Sequence, residues 1–179
     1  MYDQHFQKCQ GHQLQKKNIL SKDTIRGISF TKNDAKLTLI GVKDKPGIAA
    51  SIFKPLYENS INVDMVVQNV SAGGRETDLT FTIKLEDLKK TRKLIENNKH
   101  IRFRKLIVNN NVSKVSIVGV GMVTTPGITY RMFRALAKKK INIEVISTSE
   151  IKISVLINKK NLKKSVEILH QEFKLNNSL

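Results

Sequence analysis

An α+β fold of two βαββαβ modules in tandem, the first inserted into the second, follows from three observations. The chain repeats itself: Pro46-Gly47-Ile48 is matched by Pro126-Gly127-Ile128 and Ile61-Asn62-Val63 by Ile141-Asn142-Ile143, both at an offset of 80 residues. Within each copy, β-branched runs and amphipathic helical stripes come in the same order. A strand-like segment at residues 25–30 has no copy of its own to complete, and the second copy is one strand short.

The first copy opens with residues 36–42 (KLTLIGV) and the second with 114–120 (KVSIVGV), aliphatic and β-branched runs that read as strands. Pro-Gly then leads into a helix. Its apolar positions Ile48, Ile52, Phe53 and Leu56 recur as Ile128, Met132, Phe133 and Leu136, one stripe at helical spacing that marks a core face. INVDMVVQNV and INIEVISTSE each predict a second strand, and residues 77–84 and 152–157 a third. The connections between them differ: SAGGR at 71–75 is rich in turn formers, whereas the second copy has only a tight connection near Ser149-Glu150. Residues 85–98 and 159–173 read as second helices, the latter with Leu162, Val166, Leu169 and Phe173 on one face.

A split βαβ unit needs a fourth strand. The first copy has one at residues 102–108 (RFRKLIV), but only KLNNSL follows Phe173 in the second. We therefore expect residues 25–30 to complete the second sheet. The result is two ferredoxin-like modules, residues 36–108 and residues 25–30 plus 112–173, with a flexible tail at 1–23 and a second tail at 174–179.

With 40% hydrophobic and 26% charged residues, the chain is expected to form a soluble globular protein with a substantial core. No apolar run approaches the roughly 18 to 20 residues that span a bilayer, and residues 1–23 lack the apolar segment of a signal peptide. A cytoplasmic protein without a membrane partner is expected. Cys9, the single cysteine, can form no internal disulfide, and with His5 and His12 it makes three potential ligands without a fourth, so no metal site is expected. The net charge of +17 comes mostly from lysine, 25 against 7 arginines spread along the chain, with the densest run at Lys138-Lys139-Lys140. We read these as a solvated surface, helped at that run by the helix C-terminal dipole, rather than as a nucleic-acid footprint. There is no P-loop, and Gly119-Val120-Gly121 lacks a third glycine, so neither catalytic residues nor a bound cofactor are expected in the chain.

The segments GISFTKNDAKLTLIGVKDKPGIAASIF, NVDMVVQNVS, TDLTFT, KVSIVGVGM, PGIT, MFRALA and INIEVISTSEIKISVLI resemble the C-terminal regulatory region of bacterial aspartate kinase, with its tandem ACT modules. The resemblance runs from about residue 25 to 173 and extends to the small (beta) regulatory subunit that some members produce. It implies control of a kinase that makes 4-phospho-L-aspartate from ATP and L-aspartate, with lysine, threonine or both as effectors. ATP would belong to the partner kinase domain. A KFGGTS-like segment, with which the catalytic domain of that family begins, does not occur in these residues.

The Pro-Gly turns suit such a role. A helix N-terminus leaves its first amides unpaired and carries partial positive charge, which favours a carboxylate. Gly47 and Gly127 allow close approach to the backbone, and Pro46 and Pro126 stiffen the turn. On the next strand Asn62 and Asp64, or Asn142 and Glu144, share a side by two-residue alternation and could receive an ammonium group. By resemblance the first site comprises Asp44, Lys45, Pro46, Gly47, Ile48, Ala49, Asn62, Val63, Asp64 and Gln68, and the second Met122, Thr124, Gly127, Ile128, Thr129, Asn142 and Glu144. Pro-Gly before a helix is also a common connection, Asp44 also suits a turn, and Asn62 also suits a strand start. The second loop, with Thr124 where the first has Asp44 and Tyr130 where it has Ala50, serves either an effector or packing between modules.

Three functions fit these residues. The first is the regulatory part of aspartate kinase, pairing with itself as a homodimer or with the kinase chain. The second is a free-standing ACT amino-acid sensor of another enzyme. The third is a basic RNA binder of ferredoxin-like topology, against which stands the absence of aromatic residues from KLTLIGV and KVSIVGV.

Overall fold

The computed structural model describes residues 25–70, 74–120, 122 and 125–175. Two long antiparallel strands form its spine, β1 (Ile25–Lys43) and β4 (Lys105–Gly119). Their register runs from Ile25 opposite Gly119 to Ile40 opposite Lys105. Between them come α1 (Ile48–Glu58), β2 (Val63–Val70), β3 (Glu76–Lys84) and α2 (Leu88–Glu96). After β4 come α3 (Ile128–Lys138), β5 (Ile143–Thr148), β6 (Lys152–Asn158) and α4 (Leu162–Phe173). The strands form one sheet in the order β2-β3-β1-β4-β6-β5.

This order carries out the exchange of strands that the repeat arithmetic requires. The N-terminal part of β1 pairs with the C-terminal part of β4, Ile28 with Ile117 and Phe30 with Val115, so it completes the sheet of the second copy. The C-terminal part of β4 also pairs with β6, while the C-terminal part of β1 pairs with β3. The structure differs from the sequence expectation in one respect: residues 25–30 and 36–42 belong to a single strand, as do 105–108 and 114–119. No Pro or Gly interrupts TKNDA, and register shifts on either side of Asp34 absorb the irregularity without breaking the ladder. Asp34 is buried there and accepts a hydrogen bond from the Thr31 hydroxyl. The fourth strand of the first copy starts at Lys105 rather than residue 102. Each second helix starts after a 3-10 turn, at residues 85–87 and 159–161.

The helices fill two cores on the sheet. Ile52, Leu56 and Ile95 pack with Leu37, Leu39 and Phe81 in the first, where the Phe53 and Phe81 rings meet edge to face at 5.3 Å. Met132, Leu136 and Leu169 pack with Val115, Ile117 and Val155 in the second. Leu175, within the expected C-terminal tail, packs against that second core, and its N–H donates to the His170 carbonyl at 3.1 Å. The first helix of each copy ends alike. Ser60 and Lys140 adopt left-handed φ values of 57° and 58°, and the next N–H, of Ile61 or Ile141, returns to the carbonyl of Leu56 or Leu136. The sheet curls enough for its two edge strands, β2 and β5, to touch, with Met65, Val112, Leu156 and Val145 packed together. Residues 1–23, with His5, Cys9 and His12, lie outside the described residues. No described helix is long and apolar enough to cross a membrane.

Candidate functional site

The first Pro-Gly turn is built by the backbone. The Asp44 N–H donates to the Arg75 carbonyl at 3.0 Å, which ties the turn to the start of β3, and the Ile48 N–H donates to the Lys45 carbonyl at 3.2 Å. Gly47 caps α1 with φ 84°, a left-handed value that glycine reaches without a Cβ penalty. No side chain caps the helix and its first turn contains no acid, so its positive end is left for an anion. Asp44, Lys45, Pro46, Gly47, Ile48 and Ala49 line a groove of about 440 Å³, and Gln68 reaches it from β2. Seven of the ten residues expected at the first site are thus brought together.

The second turn repeats this geometry. Gly127 caps α3 with φ 93°. Met122, Gly127 and Thr129 line a groove of about 410 Å³ together with Thr125, Pro126, Thr148, Ser149, Glu150 and Ile153. Ile128 is buried in the core below it, and Thr124 lies outside the described residues. Sequence reasoning did not place Thr148, Ser149 and Glu150 here. The tight β5–β6 connection was recognisable, but its position opposite the α3 N-terminus depends on the pairing of β6 with β4, Val118 opposite Lys152 and the Gly119 N–H donating to the Ile151 carbonyl at 2.9 Å. Glu150 supplies this groove with a carboxylate that the second turn lacks where the first has Asp44.

Asn62, Val63 and Asp64, and likewise Asn142 and Glu144, do not line these two grooves. The Asp64 carboxylate pairs with Lys114 of β4 and accepts the Met65 N–H at 2.9 Å. Glu144 pairs with Lys36 of β1 at 2.5 Å and accepts Asn109 Nδ2 at 3.2 Å. Partial burial alone would raise the pKa of Asp64. The hydrogen bond and charge of Lys114, the Met65 N–H and the charge of Lys152 outweigh it and hold the carboxyl below its ordinary value. Each acid of one repeat is therefore neutralised by the first lysine of the other repeat's leading strand.

Comparison with known proteins agrees with this architecture. The ACT domain family model matches residues 37–98 and 115–173, more than half of the chain. Aspartate kinase of Pseudomonas fluorescens (strain SBW25) is 44% identical over 163 residues, 90% of this chain and 39% of that protein. The chain thus spans well under half the length of that relative. The ligand-free regulatory subunit of aspartate kinase from Thermus thermophilus is 36% identical, superposes with a TM-score of 0.78, and is covered to 99% by 84% of this chain. A crystal structure of aspartokinase alpha and beta subunits matches at 38% identity and a TM-score of 0.76, again over 84% of this chain and 99% of the matched one. The duplicated turn-helix grooves, the exchanged strands and these similarities lead to one assignment: the chain belongs to the ACT domain family, among the regulatory regions of aspartate kinase.

Proposed function

We propose that this chain binds lysine, threonine or both at its two turn-helix grooves and thereby controls an aspartate kinase catalytic chain in the cytoplasm. The observation that carries this reading is the first groove. It sets the uncapped N-terminus of α1 beside the Asp44 carboxylate and the Gln68 amide. An amino acid has the complementary charges: its carboxylate suits the helix amides and its ammonium suits Asp44. The second groove offers the same pairing, with Glu150 as the acid.

Both grooves are open to solvent, and a second copy of the chain, or the kinase chain, would close them. Effector binding would then shift the kinase between states by differential affinity. Thermal melting in the presence of millimolar lysine, threonine or ATP tests the proposal. Either amino acid should raise the midpoint by mass action while ATP leaves it unchanged, and a shift with ATP alone would overturn the reading.

A further inference from the structure

We infer that Lys36 and Lys114 are positioning residues that couple the two grooves through ion pairs exchanged between the repeats. Neither pair joins neighbouring strands. Lys114 of β4 reaches Asp64 of β2 across β1 and β3, and Lys36 of β1 reaches Glu144 of β5 across β4 and β6. The pairs are equivalent: Lys36 and Lys114 open KLTLIGV and KVSIVGV, and Asp64 and Glu144 lie two residues beyond Asn62 and Asn142. Three of the four side chains are sheltered: Lys114 is 11% exposed, Lys36 and Glu144 18% and 19%, whereas Asp64 is 55% exposed.

Each pair joins a strand that runs to one groove to a strand that runs to the other. Asp64 stands on β2, which also carries Gln68, a wall of the first groove, beyond a bulge that turns the two side chains to opposite faces, while Lys114 stands on β4, which runs on toward Met122 in the second. Glu144 stands on β5, which ends at Thr148 in the second groove, while Lys36 stands on β1, which ends at Lys43 beside Asp44 in the first. Secondary elements transmit coupling as rigid units, and the curl that brings β2 to β5 holds the Lys36–Glu144 pair and the Lys114 ammonium away from bulk water. A displacement of β2 at the first groove therefore either carries β4 with it or leaves the sheltered Lys114 ammonium without its partner. What displaces a wall rests on the amino-acid reading above, but the linkage itself does not.

Hydrogen–deuterium exchange on the full chain without amino acid tests the linkage, so its failure and that of the amino-acid reading are distinguishable. Asp64→Asn should speed exchange not only in β2 but also at residues 125–129 of the other repeat. Glu144→Gln should do so in β5 and at residues 44–49. An effect of about 2- to 30-fold at the remote turn is expected from couplings of this type. The exchanged pair Asp64→Lys with Lys114→Asp should restore protection, which a merely local packing role would not predict. Exchange that speeds up only within the substituted repeat, or a charge-exchanged variant that folds without recovering protection, overturns the inference. If either neutral variant does not fold, Lys36→Met and Lys114→Met, which keep the apolar stem, decide by the same crossed pattern.

Discussion

Replacing Asp44 with alanine isolates the step on which the amino-acid reading depends. The side chain is exposed at the rim of the first groove. What holds the turn is the backbone bond from the Asp44 N–H to the Arg75 carbonyl, which the substitution leaves in place. The fold should therefore keep its melting temperature in the absence of ligand. A charge-assisted hydrogen bond contributes about 1.5 to 3 kcal/mol, and exposure places this one at the lower end, near 1.5 kcal/mol or about 10-fold in dissociation constant. Calorimetric titration of wild type, Asp44→Ala and Asp44→Asn with lysine and with threonine measures it. Both variants should lose affinity alike, because asparagine keeps the shape and loses the charge. Unchanged affinity in both, with binding intact, would refute Asp44 as the ammonium partner.

At Gly47 and Gly127 a Cβ meets nothing within 4 Å, so alanine there costs only the left-handed backbone, about 1 to 2 kcal/mol, and lowers Tm by about 2 to 8 °C in differential scanning calorimetry. Phe81, fully buried and edge-on to Phe53, should cost about 3 to 5 kcal/mol as alanine, measured by urea unfolding. The folded Asp64 carboxyl titrates below its ordinary value, so the stability it contributes is fully present above the unfolded pKa, near pH 4, and is lost as pH falls through the lower folded value. Lys114→Met should accordingly be less stable than wild type at neutral pH, with the gap narrowing below about pH 4 in urea titrations. Sedimentation of the chain, alone and with an aspartate kinase catalytic chain added, should find it self-associated or in a mixed complex, and a monomer under all conditions would count against closure of the grooves by a second chain.

Periodicity and repeat offset carried most of the architecture, because both are written in local residue order. The stripe Ile48, Ile52, Leu56 and its copy Ile128, Met132, Leu136 lie in the cores as their spacing requires. The missing strand was deducible from counting, since a sheet with an unpaired central edge is not a stable end point. Continuity of β1 was harder to read, because TKNDA has the polarity of a loop and its burial depends on β4, far along the chain. The first groove was recognisable because its turn and helix are contiguous. Glu150 escaped because it reaches its groove only through the pairing of β6 with β4, and the partners of Asp64 and Glu144 escaped because strand alternation tells which side a carboxylate faces but not which lysine waits there.

The spine of β1 and β4 also sets an order of assembly. During synthesis β3 and the C-terminal part of β1 can pair as soon as the first repeat is made, whereas Ile25 must wait for Gly119 to emerge. Contacts so distant in sequence are slow to form. Until they do, the nascent N-terminal segment is an open strand seeking a ladder, and a neighbouring copy could supply one. The same wiring leaves no point between the repeats at which the chain can be cut into two self-sufficient halves: the first would keep a strand it cannot use, and the second would lose the one it needs. Duplication produced two copies, but exchange of the strand made them a single unit of folding and of inheritance.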